Sequence, residues 1–238
     1  MEISIVIPAY NEEKRLEPSL QKITEYLQKN FTAYEVLVID DGSTDATGEI
    51  ARKYQDKGVK LIQNPKNMGK GFSVKLGVIN AKYDPILFTD SDLATPIEET
   101  KKFLDAINEG YDVVIASRNL QDSQITVQQP KSRRILGNAF PVLVKTTVLP
   151  GFTDTQCGFK MFRKAAARKI FPRQTLQRFA FDVEILFIAK ELDYKIKELP
   201  VTWIDQAGST LSPLKDSIRM LNEVLKIKYN QWKGEYKP

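Results

Sequence analysis

Apolar runs alternate with helix-compatible segments through the first half of the chain. Short runs rich in valine, isoleucine and leucine predict five strands, at residues 3–8, 34–40, 58–63, 84–90 and 111–117. The segments between them predict helices near residues 17–30, 45–57, 69–82 and 96–109. Strands that are apolar on both faces and alternate with helices are typical of a parallel sheet covered on both sides. We therefore expect an α/β fold with a mostly parallel central sheet flanked by helices.

The second half of the chain has a less regular pattern. A polar stretch, residues 119–130, is typical of a flexible loop, and an apolar segment follows at 135–149. Further along, the pattern predicts strands at 157–162 and 195–201 and helices near 163–171, 181–192 and 213–232, the last amphipathic and basic. No repeat or linker separates two units, so we expect one domain over residues 1–238.

Polar clusters follow three of the predicted strands, at the point where each strand ends. These clusters are Tyr10-Asn11-Glu12, Asp40-Asp41-Gly42-Ser43 and Asp90-Ser91-Asp92. In open parallel sheets, ligands bind at the carboxyl ends of the strands, which all lie at one edge. The pattern therefore predicts a single site that contains all three clusters.

The amino-acid composition excludes several kinds of chemistry. The chain has no histidine and a single cysteine, Cys157, so Ser-His-Asp and Cys-His catalysis, histidine-ligated zinc and internal disulfides are excluded. A single thiol also fits a reducing compartment. Any metal must be held by oxygen ligands, which favours Mg²⁺, Mn²⁺ or Ca²⁺.

Asp90 and Asp92 stand one residue apart after the fourth predicted strand. In an extended segment, alternate side chains point the same way, so both carboxylates could face one cation. Thr95, Pro96 and Glu98 form the pattern of a capping box, which leaves the two aspartates unnecessary for starting the next helix. A divalent ion would relieve their mutual repulsion. We favour a metal-linked role over the alternative that both are ordinary turn residues.

The other two clusters have both structural and functional interpretations. Thr44 or Asp45 can cap the following helix, whereas Asp41 is favoured to accept hydrogen bonds from a base or a ribose. For Asp40 the structural and the functional interpretations are equally good. Tyr10 could stack on a flat ring, although taken alone a tyrosine packed under the loop is the simpler interpretation.

The segment Asn67-Met68-Gly69-Lys70-Gly71 opens the third predicted helix. Exposed N–H groups at a helix start, together with the charge of Lys70, suit a phosphate, although a plain tight turn is nearly as good an explanation for the glycines. The spacing differs from that of a P-loop, which disfavours ATP hydrolysis of that type.

The middle of the chain is strongly basic. Residues 118–178 contain 12 Lys/Arg and two acidic residues, a local net charge of +10. Because the whole chain has a net charge of +5, the remaining residues together carry −5. This asymmetry predicts an anionic partner. Arginine holds phosphate through its planar fork, so Arg118, Arg133, Arg134 and Lys160 are candidate phosphate ligands. Nucleic acid fits less well, because no aromatic platform accompanies the charges.

The apolar segment 135–149 is flanked by these charges. It is too short to cross a bilayer but could lie in a membrane surface, and a buried core helix is an equally good interpretation. No run of 18 apolar residues predicts a spanning helix, and the N-terminus has no pattern of a secretory signal.

Four motifs in order, VIPAYNEE, VIDDGSTDAT, NMGKG and DSD, resemble those of the family 2 glycosyltransferases, which have a GT-A fold with a Rossmann-like nucleotide-binding half. In the second half, DTQCGFKMF, RFAFDVEILFIA and LPVTWIDQAGSTL look like the dolichyl-phosphate β-glucosyltransferases and their polyprenyl-phosphate relatives. The resemblance covers nearly the full length. It implies a nucleotide-sugar-binding half, residues 1–117, and an acceptor-binding half, residues 118–238.

The resemblance also implies roles for individual residues. Asp90 and Asp92 would hold Mg²⁺ or Mn²⁺ at the sugar diphosphate, and Asp92 and Arg118 would be catalytic. The acceptor phosphate would be bound by Arg133, Arg134 and Lys160. The nucleotide would be bound by a larger set: Pro8, Ala9, Tyr10, Glu12, Asp41, Lys70 and Asp90.

The implied reaction is inverting transfer of a hexose, glucose from UDP-glucose, to a polyprenyl or dolichyl monophosphate. Mannose synthases of this group tend to have D-x-D-x-Q, whereas Ala94 stands at the last of these positions here, which favours UDP-glucose and leaves GDP-mannose as the alternative donor. A hydroxyl acceptor in polysaccharide assembly, a nucleotidyltransferase and a non-catalytic membrane adaptor remain alternatives. We expect peripheral association with the cytoplasmic face of a membrane.

Overall fold

The computed structural model describes residues 1–125, 148–204 and 213–237, with backbone only over 213–221. The described strands are β1 Glu2–Ala9, β2 Ala33–Asp40, β3 Val59–Gln63, β4 Ile86–Thr89, β5 Val113–Ser117, β6 Gln124–Ile125, β7 Phe159–Phe162, β8 Ile196–Pro200 and β9 Thr202–Trp203. The described helices are α1 Leu16–Asn30, α2 Thr47–Arg52, α3 Lys70–Asn80, α4 Thr100–Asn108, α5 Lys164–Arg173, α6 Phe181–Glu191 and α7 Pro213–Trp232, with 3₁₀ turns at Gln55–Lys57 and Ile97–Glu99.

Seven strands form one sheet in the order β3-β2-β1-β4-β7-β5-β8. All neighbours are parallel except those of β7, which lies antiparallel between β4 and β5. The remaining two strands, β6 and β9, pair with each other in parallel. Strands from both halves of the chain therefore share one sheet, which confirms the predicted α/β class with a mostly parallel sheet.

Helices cover both faces of this sheet because each central strand is apolar on both sides. In β1, Val6 packs into one core with α3, α5, α6 and α7. Its neighbours Ile5 and Ile7 pack into a second core with α1, α2 and α4. This alternation follows from the two-residue period of a strand. The two cores fix the sheet between the helices and leave the carboxyl ends of its parallel strands at one edge.

The structure differs from the prediction at several places. Residues 124–125, within the stretch expected to be a flexible loop, form β6, which is held by pairing with β9. The predicted helix at 45–57 is divided into α2 and a 3₁₀ turn. The predicted capping box is wrong: the hydroxyl of Thr95 lies 3.8 Å from Sγ of Cys157, and no side-chain hydrogen bond caps either the 3₁₀ turn or α4.

The apolar segment 135–149 lies outside the described residues except for Val148 and Leu149, which are buried. Within the described part of the chain, none of the helices combines the length and the apolar character needed to cross a bilayer.

Candidate active site

The carboxyl ends of four strands of the main sheet carry most of the predicted site residues. Tyr10 follows β1, Asp41 follows β2, Asp90 follows β4 and Arg118 follows β5. Because β7 is antiparallel, its beginning lies at the same edge, and the backbone N–H of Asp90 donates to the carbonyl of Gly158 just before it. The fold thus brings residues from distant parts of the sequence to one edge.

Asp90 is paired with the lysine that opens α3. Nζ of Lys70 lies 2.5 Å from Oδ1 of Asp90, with both side chains partly exposed. Burial alone would lower the pKa of Lys70, but Asp90, Asp182 and Asp92 raise it above its ordinary value, so the lysine is charged. The charged Lys70 therefore lies beside Asp90, the predicted metal ligand, where it can bind an anionic group.

Asp92 has no ion pair in the described structure. Its Oδ1 accepts a hydrogen bond of 3.0 Å from the backbone N–H of Ala94. Burial, followed by the nearby charge of Asp90, raises the pKa of Asp92. The segment is a turn and not the extended segment that we assumed for these two residues: the N–H of Leu93 donates to the carbonyl of Asp90 at 3.3 Å, and Leu93 has φ +47°. The turn still leaves the two carboxylates close enough to repel each other.

An open cavity of about 450 Å³ borders Asp92. One wall is basic and comes from the start of α1, with Arg15, Lys14 and Lys22. Apolar residues also line the cavity, among them Leu93 and Ile204. The carboxylate that carries the predicted catalytic role therefore faces open space and not a sealed core.

The carboxylates of Asp90 and Asp92 have the oxygen donors that Mg²⁺ and Mn²⁺ prefer. Burial raises the pKa of Asp92, and the nearby charge of Asp90 raises it further. A dication would relieve the repulsion between the two carboxylates. Among the side chains that the structure describes, in residues 1–125, 148–204 and 222–237, no group of three or more acidic, cysteine or histidine residues is placed to hold a metal ion. The two aspartates therefore fit an open metal site that takes its remaining ligands from substrate oxygens and water.

Tyr10 and Glu12 lie in the loop after β1. The ring of Tyr10 is 44% exposed, which leaves it available for a ligand. Glu12 forms a bidentate pair with Arg15, with both oxygen–nitrogen distances at 2.7 Å. Burial raises the pKa of Glu12, with a further contribution from Asp92, although Arg15 opposes both. Glu12 therefore positions Arg15 on the wall of the cavity.

Pro8 and Ala9 are the last residues of β1 and are buried in the sheet. Their register partners in β2 are Ile39 and Asp40. They set where the chain leaves the sheet, and so they position Tyr10 without presenting side chains of their own.

Asp41 is 3% exposed, and its carboxylate is fully engaged within the protein. Oδ1 accepts hydrogen bonds from Asn64 and from the N–H of Met68, and Oδ2 accepts from the N–H of Gly69. Gly69 has φ +105°, a conformation that favours glycine. Asp41 thereby fixes the loop that presents Lys70. In this geometry Asp41 stabilises the predicted nucleotide pocket through the loop at Met68 and Gly69.

Asp40 is also internally satisfied. Its carboxylate accepts from the N–H of Ser43 and from Nε2 of Gln63. Asp45, one of the two candidate caps, accepts a hydrogen bond from the N–H of Thr47 at the start of α2. The structural interpretation therefore applies to Asp40 and to Asp45.

Arg118 is held in a planar pair with Asp154. Its Nε and Nη2 donate to Oδ2 and Oδ1 at 2.6 and 2.9 Å. Burial alone would raise the pKa of Asp154, but Arg118 holds it below the ordinary value. The guanidinium also lies 5.6 Å from the ring centre of Trp203 and keeps a side-chain exposure of 31%. Asp154 therefore fixes the orientation of the Arg118 guanidinium, and part of the guanidinium stays accessible to solvent.

Lys160 lies where it cannot meet an acceptor phosphate directly. It is fully buried in β7, and its Nζ donates to the carbonyl of Cys157 and to Oδ1 of Asp182. Burial raises the pKa of Asp182, which Lys160 opposes. The prediction that Lys160 binds the acceptor phosphate is therefore wrong, because the side chain is fully buried and its ammonium group is paired with Asp182 inside the protein. The other two predicted phosphate ligands, Arg133 and Arg134, lie outside the described residues.

Asp182 and Glu184 begin α6 but have different surroundings. Glu184 is fully buried and accepts from the N–H groups of Thr175 and Leu176 and from the hydroxyl of Tyr236. It is a structural residue that fixes the turn before α6.

Three residues that shape this site were not predicted from the sequence: Arg15, Asp154 and Gly158. Arg15 had a weak signal, since an acid three residues earlier on a helix start is a common ion-pair spacing. Nothing in the sequence pattern links Asp154 to Arg118 or Gly158 to Asp90, because both contacts depend on the position of β7 in the sheet.

The sequence profile described as glycosyl transferase family 2 matches residues 4–171 of this chain. The chain belongs to glycosyl transferase family 2. The matched part contains the four strand-end residues that form the site edge and the beginning of β7.

Similar curated proteins cover nearly the whole chain. Dolichyl-phosphate beta-glucosyltransferase of Homo sapiens is 34% identical over 99% of this chain and 78% of its own length. The proteins of the same name from Dictyostelium discoideum and Saccharomyces cerevisiae are 34% and 32% identical, each over 99% of this chain and 76% of their own length.

Solved structures support the fold. Glucosyl-3-phosphoglycerate synthase from Mycobacterium tuberculosis, in complex with Mn²⁺, UDP-glucose and phosphoglyceric acid, superposes with a TM-score of 0.68 at 18% identity, over 95% of this chain and 78% of that one. S. aureus TarS with UDP-GlcNAc gives 0.62 at 22% identity, over 95% and 66%. These likenesses confirm the expected GT-A architecture.

Proposed function

We propose that this protein transfers glucose from UDP-glucose to a polyprenyl or dolichyl monophosphate, with inversion at the anomeric carbon. The observation that carries the proposal is the pair Asp90 and Asp92 at the sheet edge, with Asp92 facing an open cavity. The near-full-length similarity to dolichyl-phosphate beta-glucosyltransferases supports this choice of donor and acceptor.

In the proposed donor site, the nucleotide lies over the loops after β1 and β2, with Tyr10 stacked on the base. Asp41 holds the loop that carries Lys70, and Lys70 meets the diphosphate. Asp90 and Asp92 would hold Mg²⁺ or Mn²⁺, which when bound supplies charge neutralisation for the departing diphosphate. The Mn²⁺ bound with a nucleotide sugar in the similarly folded mycobacterial synthase is consistent with this assignment.

The acceptor phosphate is already anionic near neutral pH, so its oxygen can attack the sugar without a general base. This property is consistent with the absence of histidine from the whole sequence. Arg118, fixed by Asp154 and partly exposed, would orient the phosphate and stabilise the charge that develops during transfer. Arg133 and Arg134 remain proposed acceptor ligands on the basis of the sequence.

The proposal retains the division into a donor half, residues 1–117, and an acceptor half, residues 118–238. It also retains peripheral attachment to the cytoplasmic face of a membrane, because a polyprenyl chain resides in a bilayer.

The decisive experiment incubates the protein with a panel of UDP- and GDP-sugars, a short polyprenyl phosphate and Mn²⁺ or Mg²⁺. Mass spectrometry of the lipid should detect a hexosyl phosphate product with UDP-glucose. A product with GDP-mannose alone would replace the donor, and glycosylation of an oligosaccharide but not of the lipid would replace the acceptor. Addition of a chelator should stop the reaction, and excess Mn²⁺ should restore it.

A further inference from the structure

One face of helix α7 packs against the rest of the protein. Val224 and Ile227 are buried in the core below it, and Asn230 donates to the hydroxyl oxygens of Thr175 and Tyr236. These anchors occur every three residues and determine which side of the helix faces outward. Any unusual residues on the outer side are therefore held there by the fold.

The outer side carries three large apolar residues that we call the outer stripe: Leu225, Tyr229 and Trp232. They are 62%, 51% and 81% exposed, and their spacing of four and then three places them on one face of the helix. The rings of Tyr229 and Trp232 lie 6.1 Å apart. Among the described residues, other exposed large apolar side chains are single and scattered, and Tyr10 belongs to the candidate active site. A contiguous apolar stripe marks an interaction surface.

The segment that carries the outer stripe has a net positive charge. Residues 222–237 contain four lysines and two glutamates, a net charge of +2. Nζ of Lys233 lies 4.9 Å from the ring centre of Tyr229, so at least one cation lies directly beside the stripe. The surface therefore combines aromatic and aliphatic groups with an adjacent lysine in a segment of net positive charge, and its partner should be apolar inside and anionic at its surface.

We propose that the outer stripe of α7 binds the surface of an anionic lipid bilayer. Tryptophan and tyrosine prefer the boundary between lipid headgroups and hydrocarbon, and lysines next to them are attracted to anionic headgroups. The choice of a bilayer over a protein partner follows from this charge complementarity and rests on the proposed function, since a polyprenyl phosphate must be reached in its membrane. The described helices offer no spanning segment that would do this instead.

The test measures vesicle binding without substrate or acceptor lipid. The protein should co-sediment with vesicles of phosphatidylcholine containing phosphatidylserine and bind pure phosphatidylcholine vesicles less. A variant with Leu225→Ser and Trp232→Ser should bind the anionic vesicles at least about tenfold more weakly, because apolar area is lost from the contact. Ile79→Ser, a matched change at a 53% exposed isoleucine of α3, should bind as the unchanged protein does. Equal binding by the double variant would overturn the inference.

A fluorescence measurement identifies the face directly. The chain has two tryptophans, so Trp203→Phe leaves Trp232 as the reporter. Its emission should shift to the blue on addition of anionic vesicles, and an unchanged spectrum would contradict insertion. If light scattering finds a dimer that the double variant separates, while vesicle binding is unchanged, the stripe covers a second copy and the inference fails.

The two proposals fail separately. Transfer to a detergent-dispersed short polyprenyl phosphate with no vesicle binding would remove only the surface inference. Vesicle binding through the stripe, with no transfer to any polyprenyl phosphate, would remove the proposed acceptor and leave the surface assignment in place.

Discussion

The carboxylate of Asp90 fills the space that a side chain at Gly158 would need. A Cβ atom built on Gly158 would lie 2.0 Å from Oδ2 of Asp90, and the backbone N–H of Asp90 donates to the carbonyl of Gly158. The residue just before the antiparallel strand β7 therefore packs directly against the side chain of Asp90, a predicted metal ligand. The position of this carboxylate depends on the absence of a side chain 68 residues away.

Gly158→Ala should displace the Asp90 carboxylate and reduce glucosyl transfer by at least about tenfold, because such sites tolerate little misplacement. Initial rates at several Mn²⁺ concentrations should show a weaker metal response, since the ligand is moved and not removed. Gly110→Ala is the control: Gly110 has φ +98° and no atom within 4 Å of the added Cβ. That change costs backbone strain of about 1 kcal/mol but should leave the rate unchanged. A fully active Gly158→Ala enzyme would show that Asp90 needs no fixed position.

Asp92→Asn should lower turnover by about a hundredfold or more, because the substitution removes the charge that faces the cavity while keeping the shape. The fold should persist, since the amide oxygen can still accept from the N–H of Ala94. Rates with UDP-glucose and circular dichroism melting measure the two effects. Asp56→Asn, at an exposed aspartate of the first 3₁₀ turn, should change neither. Normal turnover by Asp92→Asn would remove the proposed metal role.

Asp41→Asn should weaken both stability and donor binding. The carboxylate accepts three hydrogen bonds, from Asn64, Met68 and Gly69, and both of its oxygens are used. In asparagine one of these oxygens is replaced by an NH₂ group, which would face at least one of the three N–H donors. We expect a loss of about 1–3 kcal/mol in the free energy of unfolding and a higher KM for UDP-glucose, because the loop that presents Lys70 loosens. Urea unfolding and steady-state kinetics test this. A higher KM with unchanged stability would instead indicate that Asp41 contacts the nucleotide itself.

The strands and the site edge could be predicted because their signals are local. Apolar runs ending in polar residues identify the strand ends, and the parallel arrangement places Tyr10, Asp90 and Asp92 at one edge. The insertion of β7 between β4 and β5 has no such signal, because it depends on pairing between distant segments. For the same reason Lys160 could be interpreted as a solvated phosphate ligand: only the fold reveals that Asp182 neutralises it inside the sheet.

The pair of Arg118 and Asp154 should make stability depend on pH in a defined direction. Arg118 holds the pKa of Asp154 below the ordinary value of 3.8. A carboxylate with a lowered pKa in the folded state stabilises the protein fully above its unfolded pKa, and this contribution is lost as the pH falls through the folded-state pKa. Asp154→Asn should therefore cost about 1–3 kcal/mol near neutral pH.

The difference between the unchanged protein and Asp154→Asn should shrink as the pH falls below 3.8, because Asp154 takes up a proton in the unfolded chain at a higher pH than in the folded protein. Urea unfolding at a series of pH values measures it. Asp56→Asn should give a small difference with no comparable trend, since that side chain is exposed. A difference for Asp154→Asn that grows on acidification would mean that Arg118 is not its dominant partner. In that case the fixed orientation of Arg118, and with it the proposed contact to the acceptor phosphate, would lose its structural basis.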